Sequence, residues 1–507
     1  MTRFSGLFGC VFAALALAGA AQGGLAVGIT EDAGKATDGG AAFFATMGDV
    51  GLTVNRVSIT WDPSRPAVIT GQAEIQSWLP QAQAAGVRIM FAVAPAGTKD
   101  LTSSPSAPAE FADFLQQVAR TFPQVKDFVI GNEPNQPYFW QPQFDPADGR
   151  PLSAAAYEPV LAKAYDALKA VDPTINVIGV GLSPRGNDNP KARDNVSRSP
   201  VRFLHDLGVA YRASGRTKPL MDELAFHPYP SSSKDALSKG YVWPNAGVAN
   251  LDRIKQAVWD AFHGTAQTPF AETGVRRFGK PLMFELDEVG WQVAVPAGLS
   301  SFYFGTENSP VTDEATQAQT YADLIKVLEC DPSVRSLNLF HLRDETDLGR
   351  WQSGLIRADG SHRPSYDSVK QTIAQTTGTC QDIQTVWVHN PKVVLPFARW
   401  GNRRAFPRTR KQWSLLAGAG EEATFRAGIF KAGTKKSAIA RRLARGRPKP
   451  VATAVGTIKA TGRVVYFPRR RLKAGRYVYA IRLAATMNPK RVSVLVGPAF
   501  RVGAKRK

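Results

Sequence analysis

Two glutamates each close a short apolar stretch of the chain: Glu133 ends DFVIGNE and Glu288 ends PLMFELDE. Aromatic rings follow both acids, Tyr138 and Trp140 after the first and Trp291 after the second. A protonated carboxyl group can donate a proton to a leaving group, and an ionised one can attack carbon. Two such groups facing each other beside aromatic rings would suit acid and nucleophilic chemistry at the C–O bond of a sugar.

Further polar groups lie near the ends of other apolar stretches. Arg56 lies in TVNRVSITW, which ends at Trp61, while His227 and Tyr229 close DELAFHPY. An arginine beside a carboxylate keeps it ionised, as a nucleophile requires. His227 and Tyr229 are two residues apart, so both can face the same side of a strand and the open end of the fold. Four rings would suit the C–H faces of a sugar: Trp61, Tyr138, Trp140 and Trp291. Plainer interpretations stay open. Arg56 could be an ordinary ion-pair residue, and His227 and Tyr229 could be hydrogen-bonded groups of the core. The aromatic rings could pack within loops instead of binding a sugar.

Glu288 has a competitor in the same stretch, Glu285. Alternation along a strand places Glu288 with Leu286 and Phe284 on one face and Glu285 on the other. The three-residue offset also puts Glu285 about 10 Å deeper in the strand. If Glu288 faces the open end of the fold, Glu285 is expected to point toward the helix layer and to pair with a base there.

The elements that must position these groups alternate along the chain. Short apolar runs without clean polar alternation, typical of strands covered on both faces, lie at 25–30, 53–61, 87–95, 127–133, 175–183, 222–229, 281–288 and 334–342. Amphipathic stretches that predict helices follow them at 41–49, 71–85, 107–120, 153–171, 200–213, 250–263, 313–329 and 364–376. Eight strand–helix pairs predict an α/β fold of the (β/α)₈ barrel type. An open doubly wound sheet is the alternative, but the first strand lacks the GxGxxG turn typical of it.

In a (β/α)₈ barrel the carboxyl ends of all strands meet on one face, where chemistry takes place. Asn132-Glu133-Pro134 ends the fourth predicted strand, Glu288-Val289-Gly290-Trp291 the seventh and His227-Pro228-Tyr229 the sixth, and Arg56 lies on the second. Together these motifs resemble the retaining (β/α)₈ glycoside hydrolases of clan A, such as the family 5 cellulases and family 39 xylosidase-like enzymes. The resemblance covers roughly residues 25–377.

The resemblance implies a role for each group. Glu133 would be the acid/base and Glu288 the nucleophile, with Asn132 on the 2-hydroxyl of the sugar and with Arg56 and Tyr229 supporting Glu288. It implies an oligo- or polysaccharide substrate. One departure concerns the eighth strand, where family 5 enzymes usually keep a Trp and this chain has Phe340-His341; Trp351 or Trp291 could replace it. The alternative function is a secreted carbohydrate- or cell-wall-binding protein on a barrel without catalysis.

The chain begins with the features of a secretory signal. Residues 1–20 combine Arg3, an apolar stretch and small residues, which predicts cleavage near residues 18–22 and a secreted or cell-surface protein. Cys10 would be removed with the signal. Cys330 and Cys380 then remain, each after one of two neighbouring predicted helices that end on the same face of the barrel, so we predict a disulfide. Two separate buried thiols are the alternative.

The last part of the chain differs in charge. Residues 381–507 carry 30 Lys and Arg against three acids, a net charge of +27, while the first 380 residues carry −6 of the overall +21. We predict a linker or edge at 381–410 and a β-rich, immunoglobulin-like sandwich at 411–507, since RYVYAIRLAA alternates as a half-buried strand does. The charge suggests attachment to an anionic cell-wall polymer or acidic polysaccharide; a merely solvated basic surface is the alternative.

Other classes of partner and site are not expected. No nucleic-acid-binding module is recognisable, and beyond the signal no apolar run reaches the length of a transmembrane span. No His, Cys and carboxylate cluster has metal-ligand spacing, so neither a metal nor another cofactor is predicted. The chain is expected to act as a monomer.

Overall fold

The computed structural model describes residues 24–275, 279–376, 380–400, 405–407, 409–445 and 451–503. The predicted signal at residues 1–20, with Cys10, lies outside the described residues. Among the described helices, none combines the length and the apolar character needed to cross a lipid bilayer.

The first part of the chain forms a closed barrel of eight parallel strands paired in sequence order. The strands are β1 (Ala26–Thr30), β2 (Val54–Trp61), β3 (Arg88–Pro95), β4 (Asp127–Ile130), β5 (Asn176–Leu182), β6 (Glu223–Phe226), β7 (Phe284–Val289) and β8 (Val334–Phe340). The helices that follow them are α1 (Ala41–Val50), α2 (Gln72–Ala84), α3 (Ala107–Thr121), α4 (Ser153–Val171), α5 (Pro200–Ser214), α6 (Leu251–Phe262), α7 (Glu314–Glu329) and α8 (Pro364–Gln375). The predicted (β/α)₈ barrel is confirmed, and each predicted helix agrees with the observed one to within one residue at each end.

Apolar packing explains why the strands are so hydrophobic. The outer faces of the strands and the inner faces of the helices share one large core, which includes one side of α4: Tyr157, Val160, Leu161, Ala164 and Leu168. A smaller cluster fills the inside of the barrel and consists of Val54, Met90, Ala92, Val129, Ile178 and Ala225. Because these side chains occupy the middle of the barrel, the polar residues of the strands are confined to its two ends.

A disulfide joins Cys330, directly after α7, to Cys380, beyond α8. The predicted bridge is therefore confirmed. The chain after Cys380 continues along the barrel: the N–H of Thr385 donates to the carbonyl of Cys330 at 2.7 Å, and Trp387 is buried in the barrel core. His389 contacts a carboxylate oxygen of Glu272 through Nδ1 at 2.6 Å. The start of the predicted linker is thus attached to the barrel at Thr385, Trp387 and His389.

The C-terminal domain contains β9 to β17 and one helix. Its elements are β9 (Phe397–Arg399), β10 (Ala405–Phe406), β11 (Ser414–Gly418), β12 (Ala423–Lys431), α9 (Lys436–Ala444), β13 (Ala452–Ile458), β14 (Arg463–Tyr466), β15 (Gly475–Ala485), β16 (Val492–Val496) and β17 (Phe500–Val502). A six-stranded sheet runs in the order β10-β17-β15-β12-β13, with β16 also on β15, and β14-β11-β9 form a second sheet. Residues from both sheets share one core, as in a sandwich. β9 and β10 lie inside the segment predicted as a linker or edge, and each is the edge strand of its sheet.

Candidate active site

Glu133 lies at the mouth of the barrel in an unusual backbone conformation. β4 ends at Ile130, and Glu133, three residues further, has a φ of 37°, in the left-handed region that non-glycine residues rarely adopt. Its N–H donates to the carbonyl of Gly181, the next-to-last residue of β5, at 2.9 Å. Its own carbonyl accepts from the N–H of Gln136 at 2.8 Å. The turn that follows the strand is therefore held by backbone bonds that fix where the carboxylate points.

Glu288, near the end of β7, is held by two groups that the sequence had placed beside it. Arg56 Nη1 lies 3.0 Å from one carboxylate oxygen, and the hydroxyl of Tyr229 donates to the other at 3.1 Å. The side chain of Glu288 is 11% exposed. Its carboxyl group is thus held by a cation and a hydroxyl donor and is still open to the mouth.

Arg56 connects three residues of the site. Besides Glu288, it contacts Asp287 through Nε at 2.9 Å and donates from Nη2 to Oδ1 of Asn132 at 2.8 Å. The guanidinium group is almost fully buried, which is tolerable because each of its nitrogens faces a partner. Since the carbonyl oxygen of Asn132 accepts from Arg56, its amide NH₂ is left as the donor of that side chain.

His227 lies between the two glutamates. Its Nδ1 is 3.0 Å from a carboxylate oxygen of Glu133 and 3.5 Å from one of Glu288, and its Nε2 is 3.3 Å from Asp287. Since both glutamate oxygens lie near the same nitrogen, at 3.0 and 3.5 Å, they are at most about 6.5 Å apart. Burial alone would lower the pKa of His227, but the charges of Glu288 and Asp287 and the bond to Glu133 raise it to about 10. His227 is therefore an imidazolium at neutral pH.

The surroundings of the carboxyl groups shift their pKa values in different directions. Burial raises the pKa of Glu133, and the charge of Glu288 raises it further, against the opposing effect of His227. Burial would also raise the pKa of Asp287, but His227 and then Arg56 hold it below its usual range. Burial and the charge of Glu288 raise the pKa of Tyr229 well above its ordinary value, so its hydroxyl stays a donor. Glu133 is the acid of this group suited to hold a proton, because the effect of burial on its pKa outweighs the opposing effect of His227.

Two features of β7 differ from what strand alternation predicts. Glu285 does not point toward the helix layer; it meets Arg88 of β3 at 3.0 Å and lies close to Asp127 and Glu223. These residues begin strands that are not all adjacent, so they can meet only inside the barrel, at the end opposite the mouth. The pairing of β7 with β8 shifts register around Leu286 to Val289, which breaks the alternation and brings both Asp287 and Glu288 to the mouth side.

Asp287 was missed from sequence, although it touches both Arg56 and His227. Its proximity to Glu288 in the chain was visible, but regular alternation assigned it to the face away from Glu288. The acids Asp127, Glu223 and Glu285 have carboxylate oxygens within 4.8 Å of one another. Arg335 lies 2.7 Å from Glu223, and it joins Arg88 in supplying the positive charge of this group. The group thus forms an ion-pair network that closes the far end of the barrel.

Three of the four tryptophan and tyrosine platforms predicted for sugars are buried, and the prediction is wrong for them. Trp61 is fully buried against Phe111, while Trp140 packs on Tyr157 and Trp291 on Tyr321. Each ring extends the core beneath its loop and presents no open face.

Three rings are better placed to meet a sugar. Tyr138, predicted for the same role, is 73% exposed, and its neighbour Phe139 is 41% exposed. Trp351 lies against Tyr229, with ring centroids 4.8 Å apart, and contacts Phe340 at the end of β8. Trp351 was one of two residues considered as a replacement for a Trp at the end of the eighth strand, and the structure places it beside the site.

Comparisons with known proteins give no family assignment. No family model matches the chain, and neither does any curated protein. Among solved structures, a family 39 glycoside hydrolase from Bacteroides cellulosilyticus WH2 matches at 15% identity over 89% of this chain and 81% of that one, with a TM-score of 0.48. A monomeric β-xylosidase from Caulobacter crescentus CB15 matches at 14% identity over 92% and 97%, with a TM-score of 0.42. A Bacteroides uniformis β-glucuronidase matches at 10% identity over 95% and 46%, with a TM-score of 0.43. These structures are glycosidases by name, but identities and TM-scores this low assign neither an activity nor a site residue to this chain.

Proposed function

We propose that this chain is an exported retaining glycoside hydrolase in which Glu133 is the acid/base and Glu288 the nucleophile. The observation that carries the proposal is the placement of two carboxyl groups beside the same ring nitrogen, Nδ1 of His227, at the mouth of the barrel. Their oxygens are at most about 6.5 Å apart, which accommodates the roughly 5–5.5 Å separation that retention requires.

The first step uses the difference between the two carboxyl groups. The carboxylate of Glu288, 3.0 Å from Arg56, attacks the anomeric carbon while the bond to the leaving-group oxygen breaks. Glu133 donates its proton to that oxygen, so the leaving group departs as a neutral alcohol. The sugar is now bound to Glu288 as an ester, and Glu133 is a carboxylate whose charge His227 stabilises at 3.0 Å.

The second step follows from the same electrostatics. The charge of Glu288 contributes to the raised pKa of Glu133, and esterification removes that charge. The pKa of Glu133 therefore falls once the intermediate forms, which favours its role as a base. Glu133 takes a proton from water, the water oxygen attacks the anomeric carbon, and the bond to Glu288 breaks with net retention of configuration.

The remaining groups suit an oligo- or polysaccharide. The amide NH₂ of Asn132 is a donor for a sugar hydroxyl, since its oxygen is occupied by Arg56. Trp351, packed on Tyr229, offers a ring beside the nucleophile. Tyr138 and Phe139, exposed directly after the acid, are positioned to hold the leaving-group sugar, whose C–H faces pack on aromatic rings.

Three variants test the mechanism on aryl glycosides and oligosaccharides. Glu288→Gln should lower turnover of both by about a thousandfold or more, because it removes the nucleophile. Glu133→Ala should lower kcat/KM for oligosaccharides by about 10²–10⁴-fold and spare kcat/KM for aryl glycosides whose leaving group needs no proton. It should lower kcat for those aryl glycosides, because water loses its base in the second step. Glu110→Gln, on the surface of α3, is the matched control and should be as active as the wild type.

Two results would contradict the proposal in different ways. Full activity in Glu288→Gln removes the nucleophile assignment, and a first-formed product of inverted configuration, seen by proton NMR, removes retention. If the wild type binds polysaccharides in a pull-down but shows no turnover on any of them, the chain is a binding protein on a glycosidase-like barrel.

A further inference from the structure

The C-terminal domain has very few acidic residues, and each of them is already part of an ion pair. It contains two, Glu421 and Glu422. Glu422 pairs with Arg202 of α5 at 3.0 Å, and Glu421 pairs with Arg491, which also contacts Asp260 of α6 at 3.0 Å. The acids of the domain therefore hold it to the barrel, and the Lys and Arg on the rest of its surface have no acidic neighbours of their own domain.

Arginines face one another on the outer side of the six-stranded sheet. Arg426 on β12 lies directly opposite Arg482 on β15, and Arg476 on β15 lies directly opposite Arg501 on β17. The residues between them in the strands, such as Phe425, belong to the core between the sheets, so the four arginines point outward. Like charges directly opposite each other destabilise a sheet, and within the described residues none of the four has an ion-pair partner.

Helix α9 lies on the same outer face, between the two arginine pairs. Ile439 and Leu443 of α9 pack on Phe430 and Ala480. Phe430 and Ala480 face outward on β12 and β15, in the stretch that separates one arginine pair from the other. The apolar part of the outer face is thus covered by the helix, and the arginines flank it.

The helix adds positive charge to the surface that it covers. Arg441 and Arg442 in its last turn are both exposed. Arg482 comes six positions after Arg476 along β15, and a strand rises about 3.4 Å per residue, so the two lie about 20 Å apart. We call this surface the arginine face, and it consists of Arg426, Arg441, Arg442, Arg476, Arg482 and Arg501.

We propose that the arginine face binds a linear polymer with repeated carboxylate or phosphate groups, and that it holds the barrel against that polymer independently of catalysis. Arginine forks bind carboxylate and phosphate oxygens in pairs, and a bound polyanion offsets the repulsion within each arginine pair. Positive groups spread over about 20 Å suit a chain of anionic units better than one small ion. The attraction is expected to weaken as salt screens it.

The test compares the full chain with two variants that lose the same charge. The first replaces the four sheet arginines: R426Q, R476Q, R482Q and R501Q. The matched control removes four exposed positive charges from the barrel, for which the described part of the chain offers no ion-pair partner: K163Q, K191Q, R193Q and K326Q. Binding is measured to immobilised polygalacturonate as the carboxylate polymer and to polyphosphate as the phosphate polymer, with neutral dextran as a blank, between 0.05 and about 0.5 M salt.

We expect the sheet variant to bind at least about tenfold more weakly than the wild type. The control variant should bind within about twofold of the wild type. Binding of the wild type should fall steeply as the salt concentration rises. Binding to one polymer alone identifies the anionic group that the face prefers. A Glu288→Gln protein should bind as the wild type does, because the face is separate from the barrel mouth. A further variant with lysine at the same four positions should retain most of the binding, which separates loss of charge from loss of folding.

Several results would overturn the proposal. Equal losses in the sheet variant and the control would mean that overall charge, and not this face, is responsible. Wild-type binding by the sheet variant would contradict it, as would loss of binding in the lysine variant when its thermal unfolding is unchanged. Attachment of the wild type to anionic lipid vesicles but to neither immobilised polymer would also contradict it.

Discussion

The charge of His227 stabilises the fold by an amount that depends on pH, and His227→Gln measures it. The pKa of His227 is about 10 in the folded protein, above its ordinary value of 6.5. A raised pKa in the folded state means that the stabilisation is fully present below pH 6.5 and is lost as the pH rises through 10. At about 1.4 kcal/mol for each pH unit between the two values, the contribution is about 5 kcal/mol at pH 6.

Glutamine keeps a hydrogen-bond donor near the three acids but carries no charge. The free energy of unfolding of the wild type should therefore exceed that of His227→Gln most at pH 6. The difference should shrink by about 1.4 kcal/mol per pH unit from pH 7 to pH 10. Urea unfolding followed by tryptophan fluorescence at half-unit pH steps gives this slope, and a packing change adds only an offset that is the same at every pH.

A surface histidine provides the control. His362 is exposed and stacks on Tyr366, and His362→Gln should leave the free energy of unfolding within about 0.5 kcal/mol of the wild type. A difference between the wild type and His227→Gln that does not change with pH would refute the reasoning. So would an NMR titration of the His227 ring with a midpoint near 6.5, since it would mean that the surrounding carboxylates do not hold the proton.

Three other substitutions probe separate parts of the molecule. Arg56→Met should lower the free energy of unfolding by about 3–5 kcal/mol because it leaves buried carboxylates without their cation; urea unfolding measures this, and a loss no greater than in Arg56→Lys would contradict it. Tyr138→Ala should change stability by less than about 0.5 kcal/mol while raising KM for oligosaccharides more than for aryl monosaccharides, and equal KM changes would exclude a leaving-group role. Cys330→Ser combined with Cys380→Ser should cost about 2–4 kcal/mol in stability without changing kcat, as thermal unfolding and steady-state kinetics would show.

The fold could be predicted from sequence because its signals are local. Each strand is a short apolar run and each helix an amphipathic one, so α4, for example, was predicted with the bounds Ser153–Val171 that the structure shows. Arg56, Glu133, His227, Tyr229 and Glu288 could be predicted to meet for the same reason. The topology of a closed parallel barrel brings the ends of its strands together wherever they lie in the sequence.

What could not be predicted depends on departures from regular geometry. Phe284 and Leu286 belong to the outer core, so Glu285 and Asp287 share the inner face of β7. A register shift between Leu286 and Val289 brings Glu288 to the mouth as well, and strand alternation contains no signal for such a shift. The burial of Trp61, Trp140 and Trp291 depends on how loops fold back on the core. The sequence pattern of a strand followed by an aromatic residue is the same whether the ring covers the core or faces solvent.

The backbone of Glu133 places stability and chemistry in opposition. A φ of 37° costs a non-glycine residue about 1–2 kcal/mol, and the carboxyl group is buried near a second negative charge. Glu133→Gly would relieve both penalties and would abolish proton donation. Under selection for heat resistance alone, substitutions are therefore expected to accumulate at this position. Each would raise the stability of the protein and lower its activity. The glutamate is retained at a position where the fold by itself would favour glycine.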